Sequence, residues 1–154
     1  MNNRKYTAFC GLYCRDCIPS NERIYALVEE LLREFASTGF GNYAALKTDR
    51  SAVFGEFPTA ERVLREILKL KCSGSCLEGP RSELGCTADC EIRTCVLASN
   101  LDGCWQCDDR VKCQRIERLS LLHPGIRDNL EVIAERGIEC WPEHRARHYE
   151  WTPG

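Results

Sequence analysis

The residues most able to do chemistry in this chain are its cysteines, twelve among 154 residues. "CGLYCRDC" sets Cys10, Cys14 and Cys17 at C-x3-C-x2-C, and "KCSGSC" sets Cys72 and Cys76 at C-x3-C. "CTADCEIRTCVLASNLDGCWQCDDRVKC" carries Cys86, Cys90, Cys95, Cys104, Cys107 and Cys113 at C-x3-C-x4-C-x8-C-x2-C-x5-C. Disulfides, redox catalysis, metal ligation and packing are the four uses open to them. Short C-x2-C and C-x3-C loops let two sulfurs face one ion at about 2.3 Å while the intervening amides turn towards them. Two such knuckles from distant segments complete a tetrahedron. Loops of this kind bury little apolar surface, so packing accounts for only one or two of the cysteines, with Cys140 the best candidate.

Metal ligation is therefore the expected role of Cys10, Cys14, Cys17, Cys72, Cys76, Cys86, Cys90, Cys95, Cys104, Cys107 and Cys113. Zinc, as two or three structural ions, is the expected metal. An iron–sulfur cluster is the alternative, since all-sulfur sites suit both. The C-x3-C-x2-C spacing is also that of the radical-SAM cluster motif, but the long α/β barrel of that enzyme has no counterpart here. One grouping joins Cys14 and Cys17 to Cys72 and Cys76. The six thiols from Cys86 to Cys113 then hold one zinc with two to spare, or two zincs through bridging sulfurs. Four thiolates on a divalent ion leave a formal excess of negative charge, which favours nearby cations and amide donors. Arg15, Lys71, Arg93, Arg110 and Lys112 are interleaved with the cysteines, although at 29% charged residues they also read as ordinary solvated charges.

The elements that must position these residues are helical. Ile24, Leu27, Val28, Leu31, Leu32 and Phe35 follow the spacing of an amphipathic helix, with Ser20 or Asn21 as its cap and Gly39 as its end. Residues 39–57 read as a loop with one helical turn. Ala60, Val63, Leu64, Ile67 and Leu68 predict a second helix capped by Thr59, which delivers the chain to Cys72. Residues 77–113 show no sustained periodicity. "QRIERLSLL" and "IRDNLEVIAERG" predict two more helices, and "PEHRARHYEW" a polar, helical tail. No alternating strand is long enough for a sheet, and there is no internal repeat. The expected fold is a single domain over 1–154, mainly α, with several helices packed around an irregular, cysteine-rich, metal-stapled centre.

Composition narrows the function. With 21 basic and 23 acidic residues the net charge is −2, which gives no bulk attraction to nucleic acid. The start "MNNRKYTAFCGLYC" lacks the apolar stretch of a secretion signal, and no apolar run is long enough to span a membrane. A cytoplasmic location is expected, where thiols stay reduced and structural disulfides are rare. Neither a Ser-His-Asp set, nor a carboxylate pair, nor a phosphate-binding glycine loop is present, so no catalytic residue is assigned. His123 reads as a helix-end residue. His144 and His148, an i, i+4 pair near Cys140, read as a solvated face more readily than as a weak metal site.

"CGLYCRDC", "CEIRTC", "GCWQCDDRVKC" and "NLEVIAERGIECW" in this order resemble the small bacterial and archaeal family called domain of unknown function 3795. The resemblance spans most of the chain. It implies a cysteine-rich, zinc-binding cytoplasmic protein of uncharacterised activity, with ligands at Cys10, Cys14, Cys17, Cys72, Cys76, Cys90, Cys95, Cys104, Cys107 and Cys113. Two departures stand out: Cys72 and Cys76 are three residues apart where two are expected, and the chain ends "YEWTPG" without the further cysteine pair of some members. The expected function is a non-enzymatic, zinc-stapled binding module with a protein partner. Its contact points would be "LEGPRSELG" (77–85) and Trp105, unless the Trp105 ring instead covers the metal site. A thiol-redox protein built on "CRDC" and "CWQC" is the second reading, and a zinc-knuckle nucleic-acid binder the third.

Overall fold

The computed structural model describes residues 3–72, 74–77, 90–145 and 149. Six α-helices lie among them, with no strand beyond one isolated antiparallel bridge between Thr7 and Tyr13. The protein is mainly α, as its periodicity predicts. The helices form two groups. The first holds α1 (Glu22–Thr38), α2 (Phe40–Leu46) and α3 (Phe57–Leu68), packed on one another. The second holds α4 (Glu91–Ala98), α5 (Gln114–Ser120) and α6 (Ile126–Arg136), packed with the N-terminal segment.

In the first group the Asn21 side chain accepts from the Ile24 amide and caps α1, and Gly39, in the left-handed region, ends it. Tyr25 and Leu32, seven residues apart, bury the inner face. Residues 39–57 depart from the expected loop: they fold into α2 and a 3-10 turn over Ala52–Glu56. Their aromatics explain why. Phe40 stacks on Phe35 at 4.9 Å, and Phe57 meets the two rings at 5.2 and 5.1 Å. Such a cluster ties three short helices together. Helix α3 starts at Phe57 rather than at a Thr59 cap, because Pro58 sits in its first turn, where no amide is needed. This group buries little: α3 has no buried residue, and Leu46, Val53 and Val63 are exposed.

The second group holds the main core. Ile126, Leu130 and Ile133 of α6 meet Ile116 of α5 and Ile92 and Val96 of α4. Each such side chain contributes about 1.5–3 kcal/mol when fully buried. Gly11, at φ 81°, lets the N-terminal turn lie on α6, where a Cβ would stand 2.8 Å from a Leu130 methyl. The expected polar, helical tail is instead partly core. The chain makes a 3-10 turn over Trp141–His144, with Trp141 and Pro142 buried. The Trp141 indole donates to Thr7 Oγ1 at 3.0 Å, and Tyr149 is buried edge-on to His123. One helix was missed altogether: α4 lies inside the stretch that showed no sustained pattern. Its eight residues are too short for a repeat to stand out, but Ile92 and Val96 are spaced to bury one face.

Candidate functional site

The fold gathers the described cysteines into two sets, one on each side of Phe9. The first follows from the turn at "YCRDC". Cys14–Asp16 form a 3-10 turn in which the Cys17 amide donates to the Cys14 carbonyl at 3.1 Å. The Cys72 amide donates to the Pro19 carbonyl at 2.7 Å, which brings the end of the α3 segment back beside this knuckle. Two tyrosines mark the neighbourhood. Burial raises the Tyr149 phenol above its usual range, and Cys17, Cys14 and Cys10 add to the effect. Burial likewise raises Tyr25, and Cys17 and Cys72 act in the same direction. Cys76 joins through its sulfur, which accepts the Phe9 amide at 3.3 Å.

The second set is drawn from three elements. Cys95 lies on α4 on the face of Ile92, Val96 and Ser99, the i, i+3, i+4, i+7 positions of that helix. Cys104 and Cys107 bracket a 3-10 turn, with the Cys107 amide donating to the Cys104 carbonyl at 3.1 Å. Cys113 caps α5 by accepting the Glu117 amide on its carbonyl. Cys95, Cys104, Cys107 and Cys113 line one cavity of about 40 Å³, together with Arg110 and Arg115. Burial pushes the Cys104 thiol up to about 12, and Cys113, Cys107, Cys95 and Cys90 act in the same direction. Phe9 links the two sets: its carbonyl accepts the Cys104 amide at 2.8 Å while its own amide reaches Cys76.

Of the cysteines expected as ligands, nine stand in these two sets, Cys90 stands at the start of α4 outside the cavity wall, and Cys86 lies outside the described residues. Among the described residues no cysteine is joined in a disulfide. Nor, among them, do three or more Cys, His, Asp or Glu side chains stand where they could hold one ion. The sulfurs of the second set thus surround a common space without closing on a point. Their donor chemistry, four sulfurs from three elements, fits a thiophilic ion.

One expectation is corrected. Cys140 is exposed rather than packed, because the next residue, Trp141, takes the buried place. Trp105, open between a presented and a covering ring, is buried: its ring lies against Gly103, where a Cβ would come within 2.2 Å of it. His144 is exposed, as expected of a solvated face, 3.4 Å from Arg136, and His148 lies outside the described residues, as does all of 77–85 except Leu77. Of the interleaved cations, Arg110 reaches the sulfur-lined cavity, Arg15 turns over the Tyr6 ring at 4.1 Å, and Lys71 pairs with Glu29 at 3.7 Å. Sequence reasoning did not single out Phe9, Tyr25 or Tyr149. No local signal marks them, since each meets the cysteines only through the tertiary fold.

Mainly helical architecture and two cysteine sets around short knuckles define a small, cysteine-rich helical protein. Residues 6–118 match the family described as Protein of unknown function (DUF3795), and the chain belongs to that family. No curated protein and no solved structure matches it. Helix α6 and the buried Trp141 lie beyond the matched residues. No helix among the described residues is long and apolar enough to cross a membrane.

Proposed function

We propose that this is a cytoplasmic zinc protein whose metal is structural and whose task is to present a surface to a protein partner. One observation carries the reading: four cysteines from α4, the Cys104–Cys107 knuckle and the start of α5 line a single small cavity. Dry thiols pack as small hydrophobes and hydrogen-bond only weakly, so packing alone does not call for four of them from three elements around one space. A bound cation does, by stabilising thiolates and joining the three elements. The first set would hold a second ion through Cys14, Cys17, Cys72 and Cys76, with Cys10 beside them. The net charge of −2 gives no bulk attraction to nucleic acid, which favours a protein as the partner. Elemental analysis of the purified protein with an absorption spectrum is the test. Two zincs in a colourless protein are expected. Iron with acid-labile sulfide and visible absorption would replace zinc by a cluster, and a metal-free folded protein would end the reading.

A further inference from the structure

The four thiols of the cavity share it with a guanidinium whose Nε lacks an acceptor. The Arg110 Nε is buried and has no hydrogen-bond partner among the described residues. Its guanidinium is tethered at one point, where Nη1 donates to the Cys107 carbonyl at 3.1 Å. Arg115 lines the same space, and Glu91 stands 3.9 Å from its Nε at the rim. A buried N–H without an acceptor is rare in folded proteins and asks what it is meant to meet. Here the groups at hand are sulfurs, which accept hydrogen bonds well as thiolates and poorly as thiols. The charges agree: one divalent ion with four thiolates carries two excess negative charges, and two guanidinium groups border the cavity.

We propose that Cys95, Cys104, Cys107 and Cys113, which surround one space without closing on a point, draw together on one zinc-class divalent ion when it binds, and that Arg110 is a positioning residue which donates from Nε to the resulting thiolates. The inference rests on the zinc reading above and goes further by fixing which sulfurs share an ion. Cys90 is excluded as a ligand. It stands before the first turn of α4 and adds to the raised Cys104 thiol, but it is not in the cavity wall.

The test starts with the intact wild-type chain, so that misfolded variants cannot confuse it. The metal-free protein is loaded with zinc alone, pulsed with iodoacetamide and mapped by peptide mass. Zinc should protect Cys95, Cys104, Cys107 and Cys113, while Cys90 and Cys140 react as before. Protection of Cys90 with one of the four left reactive would overturn the assignment and leave the zinc reading intact. A chain that takes up no zinc would overturn both. Arg110→Gln is then titrated against a chromophoric chelator. It should weaken zinc at this site by about 10–100-fold, the usual effect of losing a donor to a metal ligand, with Arg110→Lys in between and Arg118→Gln unchanged. With cobalt(II) in place of zinc, the sulfur-to-metal absorption of Arg110→Gln should move to longer wavelength, because a thiolate that loses a hydrogen bond gives up its electrons more easily. Unchanged affinity and an unmoved band would refute the role of Arg110.

Discussion

The knuckles "YCRDC" and "GCWQC" have nearly the same backbone and quite different surroundings. Cys17 and Cys107, which close the two turns, have φ, ψ of −84°, 132° and −82°, 129°, and each turn is followed by a second 3-10 turn. The first knuckle is half open: Arg15 turns outward over Tyr6, and Asp16 is held by Arg145. The second is closed: Cys104 and Trp105 are buried and the cavity lies behind them. A two-residue spacer between cysteines is enough to dictate the turn. Burial is decided elsewhere, by the residue before the first cysteine and by the helices on either side. Tyr13 enters the first turn with a ring packed edge-on to Trp141, whereas Gly103 enters the second with nothing, which leaves room for the Trp105 ring.

Metal removal is the most severe way to break this contrast. Structural zinc sites in small fingers contribute about 10–16 kcal/mol in apparent terms, which rivals the roughly 5–15 kcal/mol net stability of a whole domain. Complete chelation should therefore unfold residues 90–113, read as lost amide protection in hydrogen exchange. Helices α1 to α3, which Phe35, Phe40 and Phe57 hold together, should keep more of theirs. Unchanged exchange and melting after all metal has left would mean that the sulfurs do no folding work.

The equivalent second positions of the two turns give the next contrast. Trp105→Ala deletes a buried indole and should cost about 3–5 kcal/mol, measured by urea unfolding with metal bound. Arg15→Ala, the same position in the open knuckle, should stay within about 0.5 kcal/mol, as exposed substitutions usually do. Equal losses would show that the turn and not its burial carries the stability. Gly103→Ala sharpens the point with a single methyl. A Cβ there would stand 2.2 Å from ring carbons of Trp105, so the ring must move. Overpacking of this sort costs about 1–3 kcal/mol, and the same urea titration should show it. It should vanish in the Trp105→Ala background, where the ring is gone.

Much of this contrast was legible in the residues, and the rest was not for definite reasons. The amphipathic spacing of α1, α5 and α6 and the glycine stops at Gly39 and Gly137 could be read directly, because helix period and end signals are local. So could the knuckles, whose turns follow from cysteine spacing. Helix α4 could not: with Cys95 counted as a loop ligand, its apolar face shrinks to Ile92 and Val96. The place of Trp105 stayed open between a presented and a covering ring, because which it takes depends on α6, which is distant in sequence and packs on that turn. Tyr149 was hidden for the same reason, in a segment whose charges read as solvated. The grouping of sulfurs needed the fold as well, since spacing alone allows several partitions and only the cavity shows four of them together.

The open knuckle has one interaction with no counterpart in the closed one, and its removal should have the smallest effect. Arg145 Nε and Nη2 hold the two carboxylate oxygens of Asp16 at 2.5 and 2.9 Å, joining the C-terminal segment to the first turn. The Arg145 guanidinium also lies 5.0 Å from the Tyr13 ring. The pair is about a third exposed on the Arg145 side, 34%, so water and salt screen it. Ion pairs of this kind are worth about 0.2–1 kcal/mol, and two parallel bonds put this one near the upper end. Asp16→Asn should thus lower stability by no more than about 1 kcal/mol, and the loss should shrink in concentrated salt. A loss several times larger, unaffected by salt, would mean that the first knuckle is held by its carboxylate as firmly as the second is held by its core, and the two would no longer differ in kind.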